Sequence, residues 1–127
     1  QNYLGSKLYD KISADIIADT LTGDYLTLVN DYIQPMLIHY SLVDYLPFAS
    51  YSIKSGGIFK HSSENSETAS KDEVDFLVQK EREFAEHYTR RFVDFICFDT
   101  SKFPEYNQNV DSDVYPTKNV GGSNWVI

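Results

Sequence analysis

The stretch KDEVDFLVQKEREFAEHYTRRFVDFICF, Lys71 to Phe98, decides the fold. Val74, Leu77, Val78, Phe84, Tyr88, Phe92, Phe95 and Ile96 recur in it at three- and four-residue steps, the spacing of one face of an α-helix. Asp72, Glu73, Lys80, Glu81, Arg82, Glu83, Glu86, Arg90 and Arg91 fill the positions between, so one face packs and most of the other meets water. No Gly or Pro interrupts it. Ser70 and Glu73 have capping-box spacing, with Thr68 a second N-cap candidate, and Asp72, Glu73 and Asp75 suit the positive end of the helix dipole.

Working outward, Leu8, Tyr9, Ile12, Ile16 and Ile17 predict an amphipathic helix from Ser6, its N-cap, to about Thr20. Gly23 punctuates it. Asp24 can cap the next helix, in which Tyr25, Leu28, Val29, Tyr32 and Ile33 share a face, and the short Thr22-Gly23-Asp24 link suits antiparallel neighbours. Pro35 lacks an amide and clashes with the Asp31 carbonyl, so it predicts a kink, or a break at which a new helix opens. From Met36 to Leu46 almost every residue is apolar or Tyr, which predicts a bundle centre or a subunit contact. Pro47 is expected to end that helix.

Between Ser50 and His61 the period changes to two: Tyr51, Ile53, Ile58 and Phe59 flank Lys54-Ser55-Gly56-Gly57, which predicts a β-hairpin at about 50–61. His61 to Ser70 is polar throughout and reads as a loop. Beyond Phe98, Ser101 to Tyr106 turns the chain at Pro104. Asn107 to Ile127 shows no period, is broken by Pro116, Gly121 and Gly122, and ends in Trp125-Val126-Ile127. That composition predicts an extended arm whose apolar tip docks on this chain or on another copy. The fold class is therefore mainly α: a small helical bundle over residues 1–106 with one inserted hairpin, and an extended C-terminal arm over 107–127.

A chain of 127 residues with 42% hydrophobic and 24% charged residues suits one globular domain. Ten Tyr and eight Phe make aromatics 15% of it, a composition that favours interfaces. The net charge of −8 argues against a free-standing nucleic-acid binder. Cys97 is the sole cysteine, so there is no internal disulfide or thiolate cluster, and its place in an apolar run predicts a small buried hydrophobe. No apolar run approaches transmembrane length, so no membrane partner and a reducing compartment are expected.

His39, His61 and His87 fall on three separate elements without ligand spacing, and Asp111 to Asp113 fails the calcium-loop pattern, so neither metal nor cofactor is expected. Glu83 with His87 and Glu86 with Arg90 sit at ion-pair spacing on the long helix, which predicts a salt-bridged surface. Phosphate loops, nucleophile elbows and zinc motifs are all missing from the sequence, and an enzyme is not expected. Arg90 and Arg91, the only local basic cluster, are candidates for an intersubunit ion pair.

Several stretches resemble the small head-to-tail connector proteins of tailed bacteriophages, in the version found in phages of Bacteroides-type hosts, including the crAss-like group. Tyr32-Ile33-Gln34-Pro35 and Tyr45-Leu46-Pro47-Phe48 bracket the apolar helix. Gly57-Ile58, Ser63-Glu64-Asn65-Ser66-Glu67, Glu81 to Tyr88 with Arg90-Arg91-Phe92, and Phe103-Pro104-Glu105-Tyr106 follow in order. The likeness runs from Asp24 to Tyr106. It implies a structural protein in the virion neck, assembled in the host cytoplasm as a homo-oligomeric ring, usually of twelve copies. The ring would sit between portal and tail proteins, with DNA only passing through its lumen. Interface residues expected on this basis are Ile53, Ile58 and Phe59 of the hairpin, Arg90 and Arg91 of the long helix, and Tyr115, Trp125, Val126 and Ile127 of the arm. The alternative from another class is a soluble acidic protein-binding module, regulatory or host-directed, that captures a basic partner.

Overall fold

The computed structural model describes the backbone of residues 1–55 and 71–120 and the side chains of 1–49 and 71–120. Among the described residues there are four α-helices: α1 (Ser6–Ala18), α2 (Gly23–Leu28), α3 (Gln34–Ser55) and α4 (Lys71–Phe98). A π-helical turn, Val29–Ile33, joins α2 to α3, and two 3₁₀ turns, Thr100–Lys102 and Pro104–Asn107, follow α4. No strand occurs among the described residues. The helix predicted for 71–98 has those bounds, and the fold is mainly α.

The two prolines behave differently. At Pro35 the chain widens rather than breaks: the Gln34 amide bonds back to the Val29 carbonyl, five residues away. An i→i+5 turn just before a proline moves carbonyls off the path of its ring, so α2 passes into α3 through the π turn. Pro47, expected to end α3, instead lies inside it. A proline removes one hydrogen bond and disfavours, without forbidding, the helical conformation of its predecessor. Pro47 itself is exposed. The continuation of α3 through Ser55 also corrects the first arm of the predicted hairpin: Ser50 to Ser55 are helical. The remainder of that hairpin, 56–61, lies outside the described residues, as do Thr68 and Ser70, the proposed caps of α4.

The chain divides into two compact units, Gln1–Pro35 with Glu86–Ile127, and Met36–Ala85. In the first, the buried hydrophobic side chains among the described residues are Leu4, Leu8, Ile12, Leu28, Phe92, Ile96, Phe103, Tyr106 and Val120, and Ser6 and Thr89 are buried with them. Aromatic rings link the elements. Phe103 meets Tyr25 edge-on at 5.3 Å and Phe95 at 5.9 Å, Phe95 stacks on Tyr32 at 4.4 Å, and Tyr106 meets Phe92 edge-on at 6.5 Å. Such geometries add to what burial alone contributes. The Tyr25 hydroxyl donates to Glu105, and Lys11 Nζ lies 4.9 Å from the Tyr25 ring centre while pairing with Asp15 at 2.6 Å. That hydrogen bond from Lys11 holds Asp15 below the usual carboxylate range.

Gly5, not Ser6, precedes α1, and no side chain caps the helix locally. The first-turn amides are satisfied from the far end of the chain: the Ser6 amide donates to the Val114 carbonyl at 2.9 Å, and the Lys7 amide to Asn109 Oδ1 at 3.0 Å. In return the Val114 amide donates to Ser6 Oγ at 2.7 Å, and the Thr117 amide to the Asn2 carbonyl at 2.8 Å. Residues 109–117 of the predicted arm therefore dock on their own N-terminus, and Val120 is buried. Asp113, which accepts from the Val110 amide and pairs with Lys7 at 3.6 Å, belongs to this clasp.

Cys97, expected to be buried, is exposed. It lies about 100° around α4 from the buried Ile96. Its thiol stands beside the Tyr106 hydroxyl but out of hydrogen-bonding geometry, so that buried hydroxyl has no partner among the described residues. Burial, reinforced by Cys97, pushes the Tyr106 phenol up to about 12.

In the second unit, Met36 and Val43 of α3 and Ala85 of α4 are buried. His39 Nδ1 lies 2.6 Å from Glu81 Oε2, and the His39 ring is 5.4 Å from that of Phe84, which ties α3 to α4.

Two predictions follow from the packing of the first unit. Gly5 has φ 79° and ψ 163°, a region open essentially to glycine, and an added Cβ would come within 2.9 Å of Asn109 and Pro116. Gly23, at φ 64°, would meet nothing within 4 Å. Gly5→Ala should lower the unfolding free energy by about 3 kcal/mol or more, and Gly23→Ala by only about 1 kcal/mol, as measured by urea titration. For Tyr106, a folded-state value above the unfolded phenol's value near 10 means that its stabilisation is complete below pH ~10 and lost as pH rises through about 12. Tyr106→Phe should therefore shift base-induced unfolding, followed by circular dichroism, to higher pH, with stability at pH 7 unchanged or slightly raised because the lost hydroxyl was unpartnered.

Candidate functional site

Helix geometry determines which side chains α3 and α4 present. In α3, Met36 and Val43 point inward, whereas Leu37, Ile38, Tyr45 and Phe48 project from roughly the opposite side and are 65%, 51%, 58% and 66% exposed. Helix α3 is thus apolar on two opposed faces, and this chain buries one of them. The prediction that Met36 to Leu46 has little face left for water holds for composition, while the outer face is open in the chain alone. Asp44 is the only carboxylate on α3, so little charge interrupts that face.

In α4, Phe76, Leu77 and Phe84 project from the turns packed in the second unit, and Phe98 from the last turn is 90% exposed. Beside Phe98, Tyr32, Arg91, Asp94 and Phe95 line an open cleft of about 320 Å³. The Arg91 guanidinium caps this ledge, 5.6 Å from the Tyr32 ring centre and 6.0 Å from that of Tyr88. A cation over stacked rings suits a partner that brings an apolar or aromatic side chain next to a carboxylate.

Arg90 and Arg91 do not act as a cluster. Arg90 points about 100° away, to a cleft of about 200 Å³ shared with Val93, Asp94, Lys118, Asn119 and Val120. Tyr115, 57% exposed, lines a third cleft with Asn107, Asn109 and Pro116. Ile53 is in the last turn of α3, where the structure describes the backbone only. Ile58, Phe59, Trp125, Val126 and Ile127 lie outside the described residues. Of the nine interface residues expected from sequence, then, Arg90, Arg91 and Tyr115 have described surroundings, in three different clefts.

On α4 the ion pairs differ from those expected. Among the described residues Glu83 meets Lys80 at 3.5 Å rather than His87, and Glu81 meets His39. No group of three or more His, Cys, Asp or Glu with metal-binding geometry occurs among the described residues, and no helix among them is long and apolar enough to cross a membrane. Sequence reasoning put Met36 to Leu46 at a bundle centre or subunit contact without singling out Leu37 and Ile38, and it missed the exposed Phe48, Phe76 and Phe98. The signal for the α3 residues was present, since an all-round apolar helix needs cover on every side. Phe76 and Phe98 gave no local signal, because a periodic apolar pattern does not say which of its members a partner element covers.

No curated protein and no solved structure matches the chain. Residues 1–115 match the profile of DUF6712, a family of unknown function, and the chain belongs to that family.

Proposed function

We propose that this protein is a structural, non-catalytic component of a tailed-phage virion. About twelve copies would form a heterologous ring at the head–tail junction, bound to portal protein on one side and to tail or further connector proteins on the other. The observation that carries this function is the second, uncovered apolar face of α3. Leu37, Ile38, Tyr45 and Phe48 leave about 400 Å² of apolar surface at roughly 100 Å² each. A typical monomer's largest apolar patch is about 300–600 Å², and a standard interface buries about 800 Å² per partner. Surface of that order suits association with other protein chains.

The charge balance is compatible with the same role. A lumen lined by a chain of net charge −8 would let DNA pass without gripping it. The clasp of 109–117 on the N-terminus keeps that part of the arm within its own subunit, so contacts with neighbours fall to the helix faces.

Electron microscopy of the purified protein, alone and co-expressed with the portal protein of the same genome, tests the proposal. Closed rings or decorated portals are the expected images. Leu37→Ser, Tyr45→Ser and Phe48→Ser combined should abolish them while moving Tm by no more than a few degrees, since all three side chains are mostly exposed. Monodisperse monomers in both preparations, or rings undisturbed by the triple variant, would refute it.

A further inference from the structure

One stripe runs the length of α4 on its exposed side: Phe76, Lys80, Glu83, His87, Arg91, Asp94 and Phe98, at steps of four, three, four, four, three and four. All seven are exposed, and they lie opposite the buried line of Ala85, Phe92 and Ile96. Read from either end, the stripe is chemically self-complementary. The two phenylalanines bracket it, the cation Lys80 mirrors the anion Asp94, the anion Glu83 mirrors the cation Arg91, and His87 is at the centre.

We propose that this stripe is a two-fold docking surface, on which α4 of a second copy lies antiparallel with His87 facing its equivalent. In that register every charge meets its opposite: Lys80 faces Asp94 of the other copy, Glu83 faces Arg91, and Phe76 reaches the ledge at Phe98. The register is set by charge, because a parallel pairing would put like charges face to face, and a slip of one turn would break the match.

Three observations argue for a second copy as the occupant. The chain carries −8, yet the four charged residues of the stripe sum to zero, so here two acidic copies can approach without net repulsion. The open cleft of about 320 Å³ beside Phe98, lined by Tyr32, Arg91, Asp94 and Phe95, can receive an aromatic ring, and Phe76 of the antiparallel partner arrives there. Within one copy Phe76 and Phe98 are 22 residues apart on one helix, roughly 33 Å, so they can meet only between copies. Exposed ion pairs contribute little each, and the dimer is therefore expected to be weak, with a Kd of about micromolar or above. The contact closes at two copies and does not rest on the ring, which is assigned to the outer face of α3.

Charge reversal in the full chain, read by sedimentation velocity, tests the pairing. Glu83→Arg and Arg91→Glu should each weaken dimerisation at least about tenfold, and the double variant, which restores opposite charges across the axis, should recover most of it. In a Cys97→Ser background, His87→Cys should form a disulfide-linked dimer under mild oxidation by oxidised glutathione, whereas Arg82→Cys, on the far side of α4, should not. A monomeric wild type, a double variant no better than the singles, or cross-linking as efficient at 82 as at 87 would overturn the proposal. Charge variants that dimerise as well as the wild type, with rings still forming, would sink this contact and leave the ring proposal standing. A rescued dimer that never forms rings would do the reverse.

Discussion

The constraint on which the first unit depends is the cap that α1 receives from more than a hundred residues away. A helix starts with amides that have no partner within it, and here the residue before the helix is a glycine with no side chain to offer. Asn109 and Val114 take those protons instead, and Ser6 returns a hydroxyl to the Val114 amide. The exchange fixes α1 against the segment after α4. Because α1 packs on the Pro104–Asn107 turn, it also holds Phe103 and Tyr106 in place for the rings of Tyr25, Phe92 and Phe95. Gly5 is needed because Asn109 and Pro116 occupy the space where a Cβ would go.

That arrangement explains which features were legible in the amino-acid sequence. The α4 bounds could be read because a 28-residue apolar rhythm without Gly or Pro allows one regular structure. Pro35 was legible as a disturbance of helix, though not as the π turn that absorbs it. The N-cap of α1 was not, since its acceptors are remote and local preference pointed to Ser6. The predicted first hairpin arm rested on Tyr51 and Ile53 at a two-residue step, too short a run to separate strand from helix, and α3 carried through it. Cys97 was misjudged because its neighbours Phe95 and Ile96 are apolar, while its own angle on α4 points away from the buried line. The candidate surface followed the same division: the excess of apolar residues on α3 was visible, but which of them stay uncovered depends on packing that no local pattern encodes.

The two long helices present different outer faces, with different physical consequences. The face of α3 is apolar with almost no charge. Its burial would contribute roughly 25 cal/mol per Å² whatever the detailed alignment, giving strength without much direction. The face of α4 alternates charges between two aromatic ends. Exposed pairs of that kind contribute little energy individually, but they penalise wrong registers and wrong partners.

Seen this way, the acidity of the chain and its aromatic richness belong to one design problem. Eight excess negative charges make copies repel on close approach, while beyond about 8 Å in physiological salt that repulsion is largely screened. Association must then come from short-range terms, and aromatic and aliphatic side chains supply those once two faces touch. A chain with the same apolar faces and no net charge would associate through any alignment that buried them. With the charge in place, association would favour faces that are locally neutral or locally complementary, and the outer sides of α3 and α4 are the ones proposed to serve.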